Sequence, residues 1–285
     1  MEDDLCVTTC PTSEELFRAV GVLDAMGAGY ERIDPTPALS LVAVPALVMS
    51  REIRAVLEEK AGATVVFSGW VDYRAARTQM PDGPMPEGES ASGEFFRRSS
   101  IMVLGPCVAD ETKIRLIAHL EGDLGPVLPY INAVLPQASY TPAADTLAFM
   151  DEYRMIALYR QRITIAKADE IVDAWLTLER IRRLAVQTWA DRDRIVPCFE
   201  TRKKPPAIEI FKRLPRTNCR QCGEMTCMAF AVRLWTGEIS VGLCRPVFEE
   251  GGAGMHLRDA LLDIVAGMGL RSETHGESRG VSPII

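Results

Sequence analysis

The chain lacks any apolar stretch long enough to cross a bilayer. Its longest nearly apolar run, 39–49, is broken by Ser40 and Pro45, whereas a spanning helix needs about 20 apolar residues. A basic excess is also missing. Thirty-two Lys and Arg stand against 39 Asp and Glu, a net charge of -7, and nucleic-acid binding usually draws on a basic face. The opening Met-Glu-Asp-Asp has the wrong charge for a secretory leader, and no apolar h-region follows. Several catalytic signatures are absent: a GxGxxG followed by an acidic residue, a Walker A lysine, HExxH and Gly-x-Ser-x-Gly. The three histidines, His119, His256 and His275, have no evident metal or proton partner nearby in the sequence. These absences predict a soluble cytoplasmic protein with no nucleic-acid partner and no membrane insertion. They weigh against an enzyme with its own active site.

Cysteine is what the chain does have. Of eight cysteines, Cys219, Cys222, Cys227 and Cys244 fall within 26 residues, while Cys6, Cys10, Cys107 and Cys198 are scattered. Cytosolic thiols are kept reduced, so disulfides are not expected. Clustered cytosolic cysteines bind metal or do redox chemistry instead. The uneven distribution points to one site.

The organisation predicted is α+β, with two small ferredoxin-like α/β domains followed by a small cysteine-rich iron–sulfur module. Segment 1–75 reads β-α-β-β-α-β. Leu5 to Thr9 forms a strand, and Thr12 with Glu15 makes a capping box. Leu16, Val20, Leu23 and Met26 follow at helical spacing, and Gly27 and Gly29 end that helix. Tyr30–Ile33 and Leu41–Val48 are the next strands, Ser50 opens a second helix, and Ala63–Phe67 returns as a buried strand. This segment resembles a family of small proteins proposed as sulfur or selenium carriers, without any residue assignment. Segment 76–98, rich in Pro, Gly and Ser, has little apolar area to offset its ordering entropy and reads as a flexible linker.

Segment 99–200 is the second α/β domain. Ile114, Leu116, Ala118 and Leu120 alternate as in a half-buried strand. A short helix is expected at 128–135, with strands at 146–150, 154–159 and 163–166. A long helix at 168–190 carries the apolar stripe Ile171, Trp175, Leu178, Ile181, Ala185 and Trp189, with Glu179, Arg182 and Arg183 on other faces. Segment 201–250 is the cysteine module. Segment 251–285 holds a helix near 257–268 and a disordered tail.

The module spacing is Cys-x2-Cys-x4-Cys-x16-Cys. A cubane cluster needs four thiolates converging on four iron corners, and Gly223 permits the positive φ of a sharp turn after Cys222. The run from Asn218 to Ala231, with Leu234, Gly237 and Cys244 beyond it, resembles the [4Fe–4S] module of corrinoid iron–sulfur proteins and of Rnf-type electron-transport subunits. The match is carried by Cys219, Cys222, Gly223, Cys227, Phe230, Ala231, Leu234, Gly237 and Cys244. It departs where Arg245 separates Cys244 from Pro246. The resemblance covers about forty of the 285 residues. It implies a [4Fe–4S] cluster as cofactor, with those four cysteines as its ligands. A structural zinc in Cys₄ coordination uses the same donors and stays open as an alternative.

Between Glu200 and Arg220 lie seven basic residues (Arg202, Lys203, Lys204, Lys212, Arg213, Arg216, Arg220) against Glu200 and Glu209. The excess suits either docking of an acidic redox partner or tuning of the cluster; an ordinary solvated face suits it as well. Cys6 and Cys10 sit at a strand end beside a helix N-terminus, which can activate a thiol, but small buried residues fit the same places. The two carboxylates of Glu121-Gly122-Asp123 suit a solvated turn. The function expected is electron transfer, or an accessory or maturation role, for a partner metalloenzyme that the resemblance suggests is corrinoid-linked. The alternatives are a cluster-containing enzyme with its active site on the α/β domains, and a structural zinc-binding interaction module.

Overall fold

The computed structural model describes residues 4–39, 41–77, 79–81, 98–202 and 205–268. In chain order these form β1 (Leu5–Thr9), α1 (Ser13–Met26), β2 (Glu31–Ile33), β3 (Ala46–Ser50), α2 (Arg51–Ala61), β4 (Gly69–Asp72), β5 (Ser99–Cys107), β6 (Asp110–Leu120), α3 (Leu128–Val134), β7 (Ser139–Thr141), β8 (Thr146–Asp151), β9 (Arg154–Tyr159), β10 (Arg162–Ala168), α4 (Ile171–Ala190), α5 (Ala207–Phe211), α6 (Cys227–Trp235), α7 (Arg245–Phe248) and α8 (Arg258–Gly267). Most of the 76–98 stretch and the tail from 271 lie outside the described residues. Among the described residues, no helix is long and apolar enough to cross a membrane. The chain divides into two units, one within 1–128 and 156–194, the other within 129–155 and 195–285.

The first unit is built from locally capped elements on a mixed sheet. Thr12 caps α1 by accepting from the Glu15 amide at 3.2 Å, and Gly27 ends the helix at φ 62°. Only half of the expected capping box forms, because the Glu15 carboxylate accepts from the Val66 amide instead, at 2.9 Å. Ser50 caps α2 through the Ile53 amide. β1 pairs antiparallel with both β3 and β4, and β2 pairs antiparallel with β3, giving the order β2-β3-β1-β4. One face carries the core of Leu16, Leu23, Leu47, Met49 and Leu57, into which Cys6 and Cys10 are packed.

Two expected strands are displaced. The strand predicted from Leu41 begins only at Ala46, after Pro45, which has no N–H to give a ladder. Leu41 and Val42 are instead buried beside β5, where the Ser99 amide and hydroxyl both donate to the Leu41 carbonyl. The strand predicted at 63–67 is coil. The Thr64 and Val65 amides both donate back to the Ala61 carbonyl at the end of α2, at 2.8 Å, so they are withdrawn from any ladder. Pairing resumes at β4.

β4 then joins β5 in parallel at Gly69, so one sheet continues past the 76–98 stretch through β5, β6 and β10. β5 lacks a clean alternation because register shifts interrupt it near Met102 and again near Cys107. β6 shows the expected period-two burial, with Ile114, Leu116, Ala118 and Leu120 all inside. At the parallel junction Gly69 adopts φ 123°, and a Cβ there would lie 2.1 Å from the Leu104 carbonyl oxygen. Only glycine fits such an approach.

The long helix α4 is buried on more sides than its apolar stripe implies. Glu179 and Arg182, which lie off that stripe, are both inside and ion-paired at 2.8 Å. Burying both partners together avoids leaving a lone charge in low dielectric. Glu170 caps the same helix, accepting from the Val172 amide at 2.6 Å and the Asp173 amide at 3.0 Å.

The second unit contains the β7–β8 hairpin, the length of α3 beyond Leu128, and the cysteine module. Asn132 of α3 donates to the Cys198 and Glu200 carbonyls, and Arg202 donates to the Leu135 carbonyl, so 198–202 is strapped along that helix. Helices α5, α6 and α8 enclose a separate core of Ile210, Leu214, Phe230, Leu234, Leu261 and Val265.

Two outcomes follow for the first unit. Gly69→Ala should destabilise it by roughly 2–4 kcal/mol through the backbone clash, read as a lowered denaturation midpoint. Burial pushes the Glu170 carboxyl from 4.5 up to about 7, against the opposing pull of the two amides. Between those values the folded state holds the extra proton, so stability falls as pH rises through that window, by on the order of 3 kcal/mol in full. Glu170→Gln should flatten this slope. Equal slopes for wild type and variant would show that another group controls it.

Candidate metal centre

The loop before α6 is shaped by an unusual density of left-handed backbone. Arg216, Asn218, Arg220 and Gly223 have φ of 59°, 50°, 62° and 86°. For a residue with a Cβ this costs about 1–2 kcal/mol, so the loop needs ties that hold it. Asn218 supplies one: asparagine tolerates the conformation, and its Oδ1 accepts from the Cys227 amide at 2.8 Å. The Gly223 amide closes a tight turn on the Arg220 carbonyl at 3.0 Å. Thr226 then caps α6 by accepting from the Ala229 amide at 3.0 Å, which places Cys227 at the first position of the helix. Arg233, one turn further along α6, pairs with Glu224 and with Glu238 and pins the loop from outside.

The last cysteine arrives from the opposite side. After α6 the chain reverses at Gly237, φ 77°, makes a single turn at 241–243, and delivers Cys244 as the residue preceding α7. Pro246 sits in the first turn of α7, where its missing N–H costs nothing. The inserted Arg245 is thereby absorbed at the start of a short helix.

Cys219, Cys222, Cys227 and Cys244 line one hollow, walled on its apolar side by Leu214 and Phe230. Their exposure is graded. Cys219 is exposed, Cys222 half-buried, and Cys227 and Cys244 are 8% and 6% exposed. The Cys244 thiol is pushed up to about 12, first by burial and then by the charges of Cys222, Cys227 and Cys219. Four thiolates in this hollow therefore need a positive centre to hold them. Among the described residues, no three Cys, His, Asp or Glu side chains close on a point that could hold a single ion. A Cys₄ zinc site has Zn–S of about 2.3 Å, which puts its sulfurs roughly 3.8 Å apart. The four cysteines lining the hollow are donors of the kind that hold an iron–sulfur core, and zinc takes the same donors.

The other cysteines lie elsewhere. Cys6 and Cys10 are fully buried in the first unit, and burial raises their thiols to about 11 and about 12, the reverse of activation. Cys107 is buried in β5 and Cys198 is half-buried in the strap along α3. His119 and His256 are exposed, and His275 lies outside the described residues. Asp123 accepts from the Gly125 amide and pairs with Arg160, as a solvated turn does. Of the basic residues, Lys212 and Arg213 are tied to Glu209, while Lys203 and Lys204 lie outside the described residues. Residues without a sequence signal of their own also shape the site: Asn218, the Glu224–Arg233 pair and Leu214. An asparagine directly before the first cysteine of a tight loop was the one available hint.

Residues 214–246 match a family model described as "Putative Fe-S cluster". That segment is similar to an iron–sulfur cluster family. Relatives matching this C-terminal region include the acetyl-CoA decarbonylase/synthase complex subunit gamma of Methanocaldococcus jannaschii, 44% identical over 52 residues, 17% of this chain and 11% of that protein. The corrinoid/iron-sulfur protein large subunit of Moorella thermoacetica is 49% identical over 37 residues, 13% of this chain and 8% of its own length. The acetyl-CoA decarbonylase/synthase complex subunit gamma of Methanosarcina acetivorans is 46% identical over 43 residues, 15% and 9% of the two chains. The chain thus spans about a tenth of the length of these relatives. No solved structure matches it.

The role given to Asn218 separates two contributions. Asn218→Gly keeps the backbone conformation but loses the bond to Cys227, costing about 1 kcal/mol. Asn218→Ala loses both and should cost about 1 kcal/mol more. Thermal unfolding of the two variants, compared side by side, checks this order.

Proposed function

We propose that Cys219, Cys222, Cys227 and Cys244 together hold one [4Fe–4S] cluster. We propose further that the chain serves a corrinoid-linked partner metalloenzyme as an electron-transfer or accessory protein. The observation that carries this is that four cysteines from two chain segments line one hollow, inside a segment that matches an iron–sulfur family model. Such a cluster, when bound, supplies one-electron chemistry. The protein's part is to hold and tune it. The first turn of α6 at Cys227 brings a helix N-terminus to an anionic core. Leu214 and Phe230 exclude water from its inner side, while exposed Cys219 leaves the opposite edge open to a partner. The relatives are named as subunits, two as parts of a decarbonylase/synthase complex and one as a corrinoid/iron-sulfur large subunit, which supports the reading of a partner metalloenzyme.

Anaerobic purification with iron, sulfide and zinc counted per chain tests the centre. About four irons and four sulfides are expected, and one zinc without iron would transfer the site to the structural alternative. Cys222→Ser should lose or convert the cluster, whereas Cys6→Ser should keep full iron content. The opposite pattern would displace the ligand set.

A further inference from the structure

Helix α6 is apolar on two faces, and the module's core explains only one of them. Cys227, Phe230, Ala231 and Leu234 point inward to that core. On the outside, Met228 and Val232 lie one turn apart, 36% and 43% exposed, and Met225, between two residues that line the hollow, is 62% exposed. Three large apolar side chains beside a site that opens to solvent through Cys219 make a surface suited to being covered.

Charge identifies what would cover it. Between 211 and 233 the basic residues are Lys212, Arg213, Arg216, Arg220 and Arg233. Glu209 occupies Lys212 and Arg213, and Glu224 with Glu238 occupies Arg233. Arg216 and Arg220 remain. Both are exposed, and among the described residues neither has an ion-pair partner. Both also sit at left-handed positions of the tied loop; Arg220 lines the hollow, and Arg216 lies between Pro215 and Thr217, which do. The chain as a whole is acidic, but a field of this kind acts over a Debye length of about 8 Å, and the local sign decides docking.

We infer that Met225, Met228 and Val232, together with Arg216 and Arg220 of the same loop-and-helix segment, form the docking face for a small acidic electron-carrier protein whose apolar contact patch is rimmed by carboxylates. This rests on the site being an iron–sulfur centre. Apolar contact with complementary rim charge is the pattern of a small transient interface. Each encounter moves one electron from the reduced carrier to the oxidised centre of this chain, with no bond made or broken. Arg220 lines the hollow and can also compensate charge there, whereas Arg216 does not line it. Arg216 is therefore the informative position.

The full chain, loaded anaerobically, is mixed with a reduced acidic [4Fe–4S] ferredoxin in a stopped-flow instrument over a range of salt. Wild type should accept electrons at a rate that falls steeply with salt. Arg216→Gln should lower the low-salt rate about tenfold and flatten its salt dependence. Met225→Gln should lower the rate with the salt dependence kept. Both variants should hold wild-type iron and be reduced normally by dithionite. Wild-type rates and salt slopes in fully loaded variants would overturn the docking face and leave the centre standing. A matching change in dithionite reduction or midpoint potential for Arg216→Gln would also overturn it, in favour of charge tuning. Concentration-dependent dimerisation abolished by Met225→Gln would assign the face to a second copy instead. Wild-type protein without iron would overturn the centre itself, and the docking face with it.

Discussion

Four thiols that repel one another once ionised have to be brought to one place, and the architecture of the C-terminal module answers that requirement. Three come from a loop too short to reach its shape with ordinary backbone, so it takes left-handed conformations at Arg216, Asn218, Arg220 and Gly223. The fourth comes from across a helix and a reversal. Strain of this kind persists only when surroundings over-determine it. Here the Asn218 bond to Cys227, the Thr226 cap and the Arg233 pairs perform that task from three directions.

The same construction makes the site one-sided. The core of α5, α6 and α8 buries Cys227 and Cys244, and the strained loop leaves Cys219 at the surface. An anionic core held this way would be shielded from water on its inner side and reachable on its outer one, the arrangement that one-electron exchange with a partner requires. Among the described residues, the first unit offers nothing comparable. There Cys6 and Cys10 are packed into an apolar core, and desolvation holds them in the thiol form. A thiol is a poor nucleophile and a poor ligand.

Where local chemistry governed, the chain was readable. Thr12 and Ser50 capped the helices they were expected to cap, Gly27 ended α1, and the alternation from Ile114 to Leu120 marked a real strand. Each depends on interactions within a few residues. The failures share a different cause. The stretch at 63–67 has strand composition, yet its amides are captured by the end of α2. β5 was hidden by its irregular register against β6. Glu179 and Arg182 were placed only off the apolar stripe of α4, and their mutual pairing at 2.8 Å inside the fold is a fact of packing.

By itself the sequence determined the kind of site. Four cysteines at that spacing, with Gly223 after the second and Phe230-Ala231 after the third, point to the proposed donors and to iron–sulfur chemistry, because donor atoms and turn-permitting residues are local properties. Tertiary structure alone decided which thiols are sheltered and which is exposed, that Asn218 ties the loop to α6, and that Arg216 and Arg220 are left without carboxylate partners among the described residues. Those facts depend on which surfaces meet, and burial and pairing exist only once distant parts of a chain have been brought together.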